Sequence, residues 1–319
     1  MLVPATTSQA HRDSSPHELV LAAYRAALAG AELSEQARRA YASRVAGFLD
    51  WLTSTTTLAP EAGDPLAEPR ARDMAVRSYR TYLAGERAAK SNTINAALTA
   101  LDHFYAHHLG LGTPHVRREQ QPASTPEPLD GDEQRRFLRA VTAHPCPRER
   151  AIALMLLRTG LRTEELAHLD HTDLAVSGTS STVRVRPQPH WNPSTRRELP
   201  LPGSARAAVT AWLTERSRWP HATDTPALWL NRHGGRLSVR SINTIIRELA
   251  VAADLVHTTG PEAGKARVHP HTLRHTFGLH LARNGLDTAT IATLMGHAKL
   301  SSARIYTRPA AEQPPRTTA

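Results

Sequence analysis

The chain has 319 residues, a formal net charge of +10 and a single cysteine, Cys146. That length fits about two domains, and the lone cysteine excludes an internal disulfide framework and any four-thiolate metal site, as suits a reducing cytoplasmic setting. The positive excess points to an anionic partner, nucleic acid above all, and no run of ~18–20 apolar residues exists to cross a membrane.

The charge is carried by arginine: Lys90, Lys265 and Lys299 are the only lysines. Residues 1–13 (MLVPATTSQAHRD) lack a charged region followed by an apolar core, so they read as a disordered leader and not as a secretory signal. A helix is expected over His17 to Leu28. Ser34 then precedes a helical pattern in which Tyr41, Val45, Phe48, Leu49 and Leu52 recur at steps of three and four. Met74 to Leu83 reads as helix, as does the segment after Ser91, with Ile94, Leu98, Leu101 and Tyr105 on its buried stripe. Together these make residues 14–118 a small all-α domain. Residues 119–128 (EQQPASTPEP) are polar and proline-rich and read as an exposed linker.

Residues 129–308 form a second, mixed domain. Helices are expected over 131–143, 147–159, 204–217, 239–253, 271–284 and 288–295, with a short one from Ser301 to Tyr306. Ser181 to Arg186 alternates in the manner of a strand, and Arg197 to Leu201 pairs with it across PQPHWNPST, a segment full of turn formers. Asn284-Gly285 and Gly296 are helix stops, and Asp287 is an N-cap. Residues 309–319 form a flexible tail, too proline-rich for a long helix. The fold class is mostly α with a small β-sheet.

Three segments carry chemistry. In Thr159-Gly160-Leu161-Arg162-Thr163-Glu164-Glu165-Leu166 the glycine can end one helix and Arg162 open the next, presenting its fork of donors to a phosphate beside unpaired amides. Glu165, three residues on, shares a helix face with Arg162 and can orient it; taken alone, the pair reads more readily as an ordinary surface ion pair. In His269-Pro270-His271-Thr272-Leu273-Arg274-His275, His271 and Arg274 share a face, so the histidine can pass a proton while the arginine binds an oxyanion. Such histidines also cap helices or fill polar gaps. A metal reading of His271, His275 and His297 is weak, because Thr272 stands where the zinc-protease pattern needs glutamate. The third segment runs from Leu294-Met295-Gly296-His297 to Tyr306, which alone would be a packed aromatic.

The ordered set TGLR, HTLRH, LMGH and a tyrosine nine residues past that last histidine resembles the tyrosine recombinase (phage integrase) family, and RELPL before the middle helices matches too. The resemblance covers most of the chain. It implies a SAM-like, core-binding N-terminal domain that binds DNA, and a mixed α/β catalytic domain. It also implies that Arg162 and Arg274 grip the scissile phosphate, that Tyr306 is the nucleophile, that His271 is a general base or proton relay, and that His297 hydrogen-bonds the phosphate. Glu165 falls where the family has an acidic residue supporting the first arginine. Two guanidiniums can stabilise a five-coordinate phosphorane without a metal. The covalent 3′-phosphotyrosyl link implied by the resemblance conserves the energy of the broken bond, so no cofactor is expected.

The family's catalytic lysine, expected in the turn of the strand hairpin near Asn192, has no counterpart here. Arg186, His190 and the more distant Lys265 are the candidate substitutes; histidine titrates in a suitable range, whereas arginine stays protonated. The expected partner is double-stranded DNA, bound by a homotetramer that exchanges strands between inverted repeats, with base-reading residues on the Ser91 helix and on the Ser238 to Ala252 helix, Arg240 and Arg247 among them. The alternatives are a DNA-binding protein of the same fold that has lost its chemistry, and a type IB topoisomerase.

Overall fold

The structure, a computed structural model, describes residues 16–55, 63–120, 127–176, 181–187, 196–260, 262–297 and 299–307. The chain divides into two compact units, residues 1–124 and 125–319. In the first, α1 (Pro16–Gly30), α2 (Glu35–Ser54), α3 (Pro69–Gly85) and α4 (Ser91–His103) pack around one apolar core. The Ser34 hydroxyl accepts from the Ala37 amide at 3.1 Å, satisfying one of the unpaired N–H groups at the start of α2. Tyr24, Val45, Phe48, Leu49, Ile94, Leu98, Leu101 and Tyr105 are buried, which is the face that the three-and-four spacing marks out. α3 begins at Pro69 rather than near Met74. Proline suits a first helical turn because its missing N–H would be unpaired there anyway, and the turn it opens carries no apolar period to betray it.

The second unit opens with α5 (Gly131–Ala143), whose entry is closed by a reciprocal pair: Asp130 accepts from the Glu133 amide at 2.9 Å and Glu133 from the Asp130 amide at 2.9 Å. α6 (Pro147–Thr159) runs through the middle, burying Ala151, Ile152, Ala153, Met155, Leu156 and Leu157. Each of the larger side chains contributes about 1.5–3 kcal/mol by leaving water. α7 (Thr163–Ala167) is a single turn, and a small antiparallel sheet follows in the order β1 (Leu174–Val176), β2 (Ser181–Val185), β3 (Arg197–Pro200). Val183 pairs with Leu199 and Val185 with Arg197, so Val183, Val185 and Leu199 face the core together. β1 was not expected, since a strand of three residues, two of them adjacent and exposed, is too short for period-two alternation to register. The β2–β3 connection, with His190 and Asn192, lies outside the described residues.

α8 (Gly203–Arg216), α9 (Val239–Ala252), α10 (Pro270–Arg283), α11 (Thr288–Met295) and α12 (Arg304–Thr307) complete the unit. Trp212 and Trp229, both fully buried, stack at 6.4 Å in the main core. A smaller apolar cluster forms where α10, α11 and α12 meet, and Tyr306 belongs to it together with Ile291, Ala292, Met295 and Ala303. Asp287 caps α11, accepting from the Thr290 amide at 2.8 Å, and Gly296 ends it in the left-handed region at φ 62°. Among the described residues no helix is long and apolar enough to cross a membrane.

Candidate active site

Five stretches of sequence converge on one place: the turn between α6 and α7, the start of β3, the first half of α10, the end of α11, and α12. Gly160 closes α6 at φ 62°, turning the chain so that Arg162 stands immediately before α7. A side chain at Gly160 would also collide with the Phe277 ring, its Cβ lying 2.4 Å from Cδ1. The Arg162 backbone amide donates to Glu165 Oε2 at 2.7 Å, and its Nη1 donates to Glu165 Oε1 at 2.9 Å.

Glu165 is buried, yet it remains charged because of a second arginine. Arg197, from β3, donates to Oε1 and Oε2, each at 2.9 Å. Burial alone would push the Glu165 carboxyl up; the hydrogen bonds and charges of Arg197 and Arg162 more than reverse this and hold it below the usual carboxylate range.

The end of α11 is held by guanidiniums from three elements. Arg197 Nε donates to the Leu294 carbonyl at 2.8 Å, Arg274 Nη2 to Met295, and Arg162 Nη2 to Gly296 at 2.7 Å. Arg274 Nη1 also donates to the Gly160 carbonyl. These are carbonyls that a helix C-terminus and a tight turn leave without backbone partners, and the negative end of the α11 dipole favours cations there. Arg274 is only 3 % exposed; burial and the neighbouring Arg162 push its pKa down to about 10, so it stays protonated at neutral pH. Three guanidiniums against one carboxylate leave a strongly cationic centre.

Tyr306 lies within reach of that field. Its hydroxyl is 2.8 Å from His275 Nδ1, and its ring stacks against His297 with centroids 6.3 Å apart and planes 12° from parallel. Burial outweighs the opposing charges of Arg274 and Arg162 and leaves the phenol pushed up to about 12. Gly278 makes room for the ring: a Cβ there would sit 2.7 Å from Tyr306 Cε1 and Cζ. His297 is half-buried, and its Nδ1 has no hydrogen-bond partner among the described residues. His271 is exposed, its ring edge-on to His275 at 5.3 Å. Partial burial, then Arg274, lower its pKa.

Thus Arg162, Glu165, Arg274, His271, His297 and Tyr306 come together. His190 lies outside the described residues, and Arg186 is already occupied, donating to Asp170 at 2.7 Å and to Asp173 at 2.7 Å. Lys265 pairs with Glu262 at 3.2 Å on the surface. Arg240 and Arg247 are exposed on α9 with Thr244 between them, and the charge of Arg247 is felt by His269 at the head of α10. The outer face of α4 is less open than its sequence implies. Asn95 bonds the backbone of Glu119 at 2.8 and 2.9 Å, and Arg118 donates to the Asn95 carbonyl at 2.7 Å and pairs with Asp102.

Two residues of the site escaped the sequence reading. His275 entered only as a possible metal ligand, although its place one helical turn after His271 puts both on one face. Arg197 entered only as the first residue of a strand; nothing local in Arg-Glu-Leu-Pro-Leu reveals a carboxylate partner 32 residues away. Among the described residues no three histidine, cysteine or acidic side chains converge to hold a metal.

The model of the phage integrase family matches residues 127–313. The tyrosine recombinase XerC of Roseiflexus sp. (strain RS-1) is 30% identical over 249 residues, which is 73% of this chain and 72% of the relative. XerC of Pseudomonas aeruginosa (strain PAO1) is 30% identical over 285 residues, 85% of each. Among solved structures, the XerH site-specific recombinase bound to its difH substrate superposes with a TM-score of 0.68 at 15% identity, covering 92% of this chain and 93% of that one. The Tn1549 transposon integrase bound to transposon right-end DNA gives 0.66 at 16% identity, covering 92% and 96%. At those identities the structures speak for the fold, and the family rests on the sequence match: this chain belongs to the phage integrase family, that of the tyrosine recombinases.

Proposed function

We propose that Tyr306 is the nucleophile with which this chain, a site-specific recombinase that cleaves and rejoins DNA, attacks the scissile phosphate to form a covalent 3′-phosphotyrosyl link. The observation that carries this reading is the place of Tyr306, its hydroxyl 2.8 Å from His275 Nδ1 and its ring against His297, where the charges of Arg274 and Arg162 oppose the burial that raises the phenol. A phosphodiester carries negative charge, and its five-coordinate transition state carries more. Fixed guanidiniums stabilise the added charge without reorganising. Arg162, a third exposed, retains donors toward solvent and makes the first contact with phosphate; Arg274 supplies charge from beneath. His297, its ring stacked against that of Tyr306, hydrogen-bonds a phosphate oxygen, and His271 relays protons at the mouth. Glu165 keeps Arg162 aimed.

The Arg240–Thr244–Arg247 face of α9 lies on the side of His269 and fits a DNA groove that continues from the scissile phosphate. The first unit would grip the duplex as a core-binding domain, and strand exchange between inverted repeats would take place in a cytoplasmic homotetramer. The absence of lysine from residues 187–197 favours a second reading, a DNA-binding protein without chemistry, and one experiment separates the two. On a nicked suicide duplex carrying the target site, the wild-type chain becomes covalently attached to DNA and Tyr306→Phe does not. If neither forms an adduct while both bind the duplex, the catalytic reading fails.

A further inference from the structure

Between the phenol and the solvent stand two histidines on one face of α10, and only one of them touches the reacting oxygen. His275 Nδ1 is 2.8 Å from the Tyr306 hydroxyl, whereas His271 meets only the edge of the His275 ring, at 5.3 Å, and is exposed. Resting on the reading of Tyr306 as nucleophile, we propose that His275 is a further catalytic residue, the base that receives the phenolic proton, and that His271 is its outlet to water.

The geometry supports this before any electrostatics. Nδ1 lies at hydrogen-bond distance from the proton it would take, which is the first requirement of a general base. Gly278, one helical turn along α10 from Arg274, lets the Tyr306 ring approach the helix closely enough for that bond. The groups that face His275 are His271 and Arg274 on its own helix, His269 at the helix head, His297 after α11, and Tyr306 on α12. Burial first, then the charges of these histidines and of Arg274, push its pKa down to about 4. It is therefore neutral at working pH, and in the tautomer with its hydrogen on Nε2, Nδ1 accepts from the Tyr306 hydroxyl. A DNA phosphate entering beside it would bring negative charge and raise its basicity as the reaction demands.

The step balances simply. The bond from the Tyr306 oxygen to phosphorus forms, the bond from phosphorus to the 5′-oxygen breaks, and the phenolic proton passes to His275 Nδ1. The departing 5′-oxygen takes its own proton from water. Rejoining returns the proton from the imidazolium to the phenolate, while the attacking 5′-hydroxyl gives its own proton back to water.

The test compares wild type, His275→Gln and His275→Ala on suicide duplexes with either an ordinary 5′-oxygen or a bridging 5′-sulfur at the cleaved bond. Sulfur leaves without protonation, so only nucleophile-side defects persist with it. Glutamine keeps a hydrogen-bonding group but cannot take up the proton. We expect His275→Gln to bind DNA as wild type does, and to form adduct on the order of 10²-fold more slowly with both leaving groups. Its rate should rise tenfold per pH unit, where the wild-type rate levels off. Adduct formation by His275→Gln at the wild-type rate overturns the proposal alone, as does a defect that vanishes with sulfur or one matched by an equal loss of DNA affinity. If the wild type forms no adduct with either duplex, the assignment of Tyr306 falls and this proposal falls with it.

Discussion

Glu165 accepts four hydrogen bonds, two from Arg197 and two from Arg162, which fills about the four lone-pair sites a carboxylate offers. A buried acid so surrounded acts as a fixed anchor rather than a proton carrier, and it couples the strand that bears Arg197 to the turn that bears Arg162. The histidines beside it behave oppositely. His275 and His297 are both lowered to about 4 from an ordinary value of 6.5, by burial first and then by neighbouring positive groups; His269, His271 and His103 move in the same direction. Between these limits the unfolded chain binds protons that the folded chain refuses. Stability is therefore full above about 6.5 and falls as the pH drops toward 4. Glu165 adds a further loss below its ordinary range near 4.5, because its folded value is depressed. Denaturant midpoints should accordingly fall steadily from pH 7 to pH 4.5, and the double variant His275→Gln/His297→Gln should flatten much of that slope. A midpoint unchanged across the window in the wild type would contradict the lowered values.

At the scale of elements, the site depends on α11 ending where it does. Gly296 frees three carbonyls at once, and each meets a guanidinium from a different element. α12 is only one turn long, so its place is decided by what it packs on, namely the gap that Gly278 leaves in α10. Filling the gap has a definite cost. In Gly278→Ala the new Cβ meets Tyr306 at 2.7 Å and Met295 Sδ at 2.9 Å, and overpacking of this kind costs about 1–3 kcal/mol. The measurement is a thermal or urea unfolding curve, in which the variant should be less stable than wild type, with a slower adduct rate because the tyrosine is displaced. Equal stability would mean that α12 leaves this seat at little cost. Most of the helices were legible beforehand from apolar spacing and caps, Ser34 and Asp287 being examples. The start of α3 and the whole of β1 were not, because a proline-led charged turn and a three-residue strand carry no period.

For the whole molecule, the net charge of +10 is a statement about association. A duplex partner releases counterions when arginines neutralise its phosphates, so affinity should fall steeply with salt. Arg240 and Arg247 are exposed, whereas Arg186, Arg197 and Arg236 are consumed by internal carboxylates. Arg240→Ala and Arg247→Ala should each reduce the slope of log affinity against log salt by about 1 if they touch phosphate. Titrations at several salt concentrations would read this directly, and an unchanged slope would remove α9 from the interface. The charge thus divides into arginines paired with internal carboxylates and arginines left exposed, a division that composition cannot display.

What the sequence alone determined is the list of chemical parts and their order: an arginine after a helix stop, a histidine-arginine pair, a late histidine and a tyrosine. Residue identity and local spacing are enough for these, since helical periodicity and capping are short-range. Tertiary structure decided which of the parts meet. Arg197 reaches Glu165 across 32 residues and Tyr306 reaches His275 across 31, and such pairings follow from how helices and sheet close around a shared core. No window of a few turns contains that information.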